Sequence, residues 1–347
     1  MEIYLLHHQP VRCKKLGNKA NPHVILISSE TNAFGYIAGR NVNMQDFEKI
    51  YKELQKYLDE HVAENMSPED TQRLVNEFMG QYNASVCESA ESKVKSLPKT
   101  SEDYLDLAGK ASNDQEARKY IKEALRLDPD NIDAEVMLMA YTKMSIFSRK
   151  SKLEGIIRHA EQILAKQGFM DKEYEGDFWL VWETRPYMRA KDTYMRLLIR
   201  LGMLGKAIEE CQDMLRLCKN DNQGVRYTLM HLFAVMEKKE EAFSLFKEFE
   251  EESSCMFLLP LAAVCFKCDD IKLAGKYVDM LARSNKDTKL FFRKLSEGAI
   301  NLDAPVSALG YRVGSIEEYE AALQDYPFFY EQNEAFMEWA HDRIMKK

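Results

Sequence analysis

The sequence predicts a mainly α protein assembled from successive antiparallel helix pairs, and three observations carry that prediction. Residues 189–219, 223–250 and 258–282 each show the apolar spacing of two helices joined by a short turn. Superposed, they bring Ala207, Ala242 and Ala274 to one position, 35 and 32 residues apart, a period that belongs to helix-pair repeats. An earlier stretch, 113–131, shows the unit most plainly. Ala117 and Ala124 are small enough to let two helices approach, and Pro129 ends the helix and turns the chain. The third observation is compositional: 15 Gly and 9 Pro in 347 residues are too few for a strand-and-turn protein of this length.

Taken in order, the chain opens with a small N-terminal α+β region. Residues 3–7, 24–28 and 34–37 read as short strands, separated by turn material at Gly17-Asn18, Asn21-Pro22 and Thr31-Asn32. Helical periodicity begins near Met44 with Phe47, Ile50, Tyr51, Leu54 and Leu58. Ser67-Pro68 forms a helix start, followed by the stripe Leu74, Val75, Phe78 and Met79, and 81–95 is a third, weaker helix. Leu97-Pro98 marks a seam, giving an N-terminal region 1–97, repeats 98–298 and capping helices 299–347.

The first repeat runs from Ser101 to Asn131. The second starts with Ala134, Met137, Leu138 and Tyr141 and has a long connection over 144–152 before Ile156, Ile157, Ala160, Ile163 and Leu164. Residues 168–177 are irregular, and the aromatic stretch 178–187 contains Pro186, a helix breaker. Beyond Ala282 the pattern decays into helices over 287–296 and 315–325, the latter opened by a capping box Ser315-Ile-Glu-Glu318. A last helix over 330–345 closes the open end of the stack.

The balance of charge, −8, argues against a general nucleic-acid binder, because neutralising phosphates needs a basic face. Seven cysteines scattered over helical pattern suggest reduced thiols and a cytoplasmic setting. The longest apolar run, 256–266, is interrupted by Pro260 and is far too short to span a bilayer, so a buried helix accounts for it and no membrane partner is expected.

With its Ala117, Ala124 and Pro129 unit and its recurring alanines, the chain resembles the tetratricopeptide family. The strings Glu183-Thr-Arg-Pro-Tyr-Met-Arg-Ala190 and Asn220-Asp-Asn-Gln-Gly-Val-Arg-Tyr227 narrow this. Over about residues 178–300 the chain looks like bacterial relatives of the suppressor-of-tumorigenicity-7 family. The resemblance implies an α-α superhelix, a tetratricopeptide-like solenoid, acting as a helical-repeat interaction protein. It implies no reaction. The carboxylate clamp of the tetratricopeptide family needs Lys and Asn where this chain has Asp192 and His231, so binding of chaperone tails is not implied.

In that family the first helix of each pair lines the concave surface. Aligning Ala207 with Ala242 puts Arg189, Asp192 and Arg196 on one exposed face, and Gly224, Tyr227 and His231 at the matching places of the next unit. Arg189 and Arg196 are two turns apart and project together. Arg185 and Arg226 lie close by, and their planar forks suit carboxylate or phosphate groups; Tyr187 and Tyr227 can stack or hydrogen-bond. The seven candidates for partner contact are therefore Arg185, Tyr187, Arg189, Arg196, Arg226, Tyr227 and His231. A second reading stays open for Arg185 and Arg226, as clamps tying Glu183, Asp221 or helix-end carbonyls together.

Motifs for catalysis fail. Cys265-Phe-Lys-Cys268 has no second Cys pair or spaced His, and its thiols share one helical face as small hydrophobes, as do Cys211 and Cys218. No phosphate-binding glycine loop, nucleophile elbow or paired-histidine metalloprotease motif occurs. No catalytic residue, metal ligand or cofactor is therefore assigned. The expectation is a noncatalytic scaffold that binds a protein or peptide on a concave helical face, with self-association open to it. The alternative makes residues 1–95 an enzymatic or nucleic-acid-binding effector, with the repeats sensing a ligand.

Overall fold

The structure is a computed structural model, describing residues 98, 100–249, 252–300 and 312–346 together with scattered positions between 53 and 81. The strands expected within residues 1–40, the start of the first helix, the Ser67-Pro68 cap and most of the helix expected over 81–95 lie outside the described residues. The chain divides into two compact units, Met1–Lys99 and Thr100–Lys347.

In the first unit the described positions from 53 to 81 are helical, and Leu54, Leu58, Val75 and Phe78 are buried at three- and four-residue steps. Tyr57 stacks on His61 with ring centroids 4.1 Å apart and leans on Phe78 at 5.5 Å, which brings the two helical stretches together.

The second unit is mainly helical, and among its described residues the only β contacts are isolated bridges from Gly176 and Asp177 to Cys218. Its helices are α1 (Ser101–Gly109), α2 (Asp114–Leu127), α3 (Ile132–Ala140), α4 (Ile146–Gln167), α5 (Arg185–Arg200), α6 (Leu204–Leu217) and α7 (Val225–Val235). They continue with α8 (Lys239–Glu248), α9 (Cys255–Lys267), α10 (Ile271–Ser284), α11 (Thr288–Ser296), α12 (Ile316–Asp325), α13 (Pro327–Glu331) and α14 (Glu334–Met345). From α1 to α10 successive helices pack on each other, with α3 also touching α5 and α7 touching α9.

Local chemistry starts many of these helices. Thr100 and Asp103 form a reciprocal capping box on α1, and the side chains of Asn113, Asn131, Ser145 and Asp270 cap α2, α3, α4 and α10. Pro186 does not interrupt a helix. It sits in the first turn of α5, where a missing N–H costs nothing.

The alanines behave as their period requires. Ala117, Ala207, Ala242 and Ala274 are each the fourth residue of α2, α6, α8 and α10, and none is more than 1% exposed. A methyl group there brings the second helix of the pair close to its neighbours. The turn before three of these helices also repeats. Gly202, Glu237 and Asp269, each five residues ahead of its alanine, have φ of 68°, 57° and 58°. In each case the next N–H returns to the carbonyl three from the helix end: Met203 to Leu198, Lys238 to Phe233 and Asp270 to Cys265, all at 2.9 Å. This is the left-handed helix stop of the Schellman type, made once with glycine and twice without it.

The core centres on α9, where every residue from Cys255 to Cys265 is buried, Pro260 included. Around it the C-terminal helices depart from expectation. The last helix is not continuous from 330 to 345; Asn333 separates the short α13 from α14. The Ser315 cap does not close a box either. Ser315 accepts from Glu317, while the buried Glu318 carboxylate accepts from the backbone N–H groups of Gly314 and Cys255 and from Asn285 Nδ2. Glu318 thereby caps the first residue of α9 across the fold rather than its own helix. Tyr319 stacks on Phe291 at 4.1 Å, and Arg343 forks onto Asp279 at 3.0 and 2.9 Å, so α12 and α14 are fastened to α11 and α10. A further departure lies earlier: α4 begins at Ile146, so most of the connection expected over 144–152 is helix.

Candidate functional site

The candidate residues sit on α5, α7 and the loops that lead into them. Before α5, the Thr184 hydroxyl donates to the carbonyls of Phe178 and Val181, closing the aromatic stretch into a tight loop. Arg185 finishes it. Its Nε donates to Trp179 O at 2.8 Å, and its guanidinium lies 3.6 Å from the centroid of Trp182 and 5.4 Å from that of Trp179.

Two residues on, Tyr187 is 3% exposed and donates to Glu161 of α4 at 3.1 Å. Burial pushes its phenol well above the range in which it could ionise. Below its ring lies Lys191, an almost fully buried cation held 2.6 Å from Glu210 and 2.8 Å from Asp213 of α6. Arg189 forks onto Asp133 in the first turn of α3, Nε at 2.9 Å and Nη2 at 2.6 Å. Arg196 pairs with Asp192 on its own helix at 2.9 Å; with its side chain 53% exposed, it is the one exposed residue of the seven candidates. Asp325, at the end of α12, also feels its charge.

The string before α7 folds into a charged knot. Asp221, at φ 46°, accepts from the N–H groups of Val225 and Arg226 and from Arg226 Nη1 at 2.7, 3.1 and 2.8 Å. Arg226 also donates to Glu252 at 3.2 Å and to the Tyr227 hydroxyl at 2.6 Å, and Tyr227 passes a hydrogen bond to Glu252 at 2.8 Å. Of the two readings open for Arg226, this is the clamp on Asp221. Arg185 is likewise tied to a backbone carbonyl.

His231 follows one turn later. Its Nδ1 bonds to Tyr227 O at 2.7 Å, and its ring is sandwiched between Tyr326 (4.0 Å, nearly parallel) and Phe329 (4.9 Å, edge-on). The exposed face expected at His231 is closed: the residue has no exposed surface, because α13 folds back onto α7. Nε2 has no hydrogen-bond partner, and burial pulls the imidazole pKa down to about 3. The seven candidates thus do not converge on one pocket. Arg189 turns to α3, Arg196 faces the end of α12, and Arg226, Tyr227 and His231 form a line along α7.

The residues that complete this line, Tyr326 and Phe329, lie outside the string that suggested it. The aromatic run Tyr326-Pro-Phe-Phe-Tyr330 was the available signal, yet aromatic runs mark burial without naming the surface that buries them. In the cysteine motif, burial lifts the Cys265 thiol to about 12, and Cys268 lies at the helix end. Among the described residues no group of three His, Cys, Asp or Glu side chains is placed to hold a metal ion. No described helix is long and apolar enough to cross a membrane. An open groove of about 440 Å³ lies elsewhere, lined by Leu125, Pro129, Leu138, Met139, Met144 and Lys152 among others.

No protein-family model matches this chain, and none of the curated proteins compared with it is significantly similar. The class that stands is a mainly helical protein whose helix pairs recur.

Proposed function

We propose that this protein is a noncatalytic scaffold that binds a protein or peptide on the concave face of a tetratricopeptide-like superhelix, made of residues 98–298. Support for the array comes from the alanine at the fourth position of four helices and from the three identical left-handed stops before α6, α8 and α10. The observation that carries the binding reading is α13 on α7. A five-residue aromatic helix of the chain itself lies against this face, with His231 between Tyr326 and Phe329. A surface that holds such a segment in cis has the apolar floor and aromatic contacts that a peptide needs in trans. Arg196, exposed beside Tyr326 and Asp325 and paired with Asp192 of its own helix, is the charged anchor offered to a partner.

The test is affinity capture from lysate of the source cell with three baits of confirmed fold: the intact chain, Arg196→Glu, and Tyr326→Ala, which loosens the cis segment. A partner that the intact chain retains, Arg196→Glu loses and Tyr326→Ala enriches supports the reading. A partner held equally by all three places binding on another surface.

A further inference from the structure

The connection between α3 and α4, with the first turns of α4, carries a patch unlike the rest of the chain. Residues 141–153 contain Lys143, Arg149, Lys150 and Lys152 and no Asp or Glu, in a chain whose net charge is −8. Lys150 is buried and paired with Glu154, but Lys143 and Lys152 are exposed, Arg149 is partly so, and none of these three makes an ion pair with another described residue. Between them Phe147 is 62% exposed and Ile146 37%, adjacent large apolar side chains at the tip of the longest helix described. Isolated exposed apolar residues are ordinary; here two stand side by side at a helix start, with Lys143 before them and Arg149 and Lys152 in the turns that follow. The groove described above shares Met144 and Lys152 with this stretch and is also lined by Glu135.

The geometry points to a docking surface for an anionic lipid bilayer, in which Ile146 and Phe147 enter the interfacial layer while Lys143, Arg149 and Lys152 meet acidic headgroups. Cations near a negatively charged leaflet and apolar side chains at the acyl boundary each add to such binding. A polyanionic nucleic acid would satisfy the cations and leave the Ile146-Phe147 pair without a role. No membrane-spanning segment is required, and the patch is separate from the α7 and α13 contact.

The experiment is co-sedimentation of the full chain with vesicles of phosphatidylcholine containing about 30 mol % phosphatidylserine, and with phosphatidylcholine vesicles alone. Binding to the acidic vesicles only, lost at about 0.5 M salt, is expected. Phe147→Ser and the triple variant Lys143→Glu/Arg149→Glu/Lys152→Glu should each lower the bound fraction at least about tenfold. Because the altered side chains lie at the surface, circular dichroism of both should match the parent. Phe147→Ala serves as a milder second variant and should weaken binding in the same direction. No binding to acidic vesicles, or binding that all these variants retain, overturns the proposal. So does binding of a labelled oligouridylate by this patch without vesicle binding, which would assign it to nucleic acid.

Discussion

The imidazole of His231 lies nearly parallel to the ring of Tyr326, 4.0 Å between centroids and 18° between planes, and this contact joins the first helix of an internal pair to the C-terminal segment. It also makes His231 a neutral group in a closed, apolar place.

That placement sets a pH dependence. Burial lowers the His231 pKa from its ordinary 6.5 to about 3, the Tyr227 carbonyl offsetting part of the effect. The unfolded chain takes up a proton near 6.5 while the folded chain does not, so the stability this creates is complete above that pH. It drains away as the pH falls from 6.5 toward 3, by up to ~1.4 kcal/mol per pH unit. Urea unfolding at pH 7.5 and 5.5 should show the parent losing about 1.4 kcal/mol more than His231→Phe. Equal losses would mean that the imidazole is accessible to protons in the fold.

The left-handed stops give a second expectation. Glu237 carries a conformation costing an L-residue roughly 1–2 kcal/mol, and glycine removes that cost while raising the entropy of the unfolded chain by about half as much. Glu237→Gly should therefore stabilise by about 0.5 kcal/mol. Asp269→Gly should gain less, because aspartate tolerates this conformation better. Gly202→Ala should lose about 1 kcal/mol. Thermal midpoints moving in the opposite directions would refute the shared turn.

Arg226 and Asp221 provide the third. Both are largely enclosed, Asp221 with a side chain only 1% exposed. Arg226→Met leaves that carboxylate buried without its counter-ion and should cost about 3 kcal/mol. The double variant Arg226→Met/Asp221→Asn should cost clearly less than the sum of the single changes. A double-mutant cycle in urea measures the coupling, and additive losses would show that the two side chains do not depend on one another.

The relation of sequence to structure is clearest in particular residues. The alanine period was legible because only a small side chain fits where two helices cross closely, and composition records that requirement directly. The buried stretch of α9 was legible for a similar reason, as a long apolar run with too few residues for a bilayer. Capping was not legible at either box: Thr100 and Asp103 close one within a single turn where none was expected, whereas Glu318, which has the spacing of a local box, caps α9 from 63 residues away. The left-handed turns at Glu237 and Asp269 were silent, since neither residue advertises that conformation as glycine does.

By itself, then, the sequence determined that this protein is mainly helical, roughly where its helix pairs fall between 189 and 282, and which small residues hold them close. Those properties follow from short-range spacing. Tertiary structure alone decided that α13 would close the face at His231, that Arg226 would turn inward to Asp221, and that Ile146 and Phe147 would stay outside. Apolar periodicity states that a face needs covering, but the covering surface is chosen among distant elements by shape and by the pairing of buried polar groups.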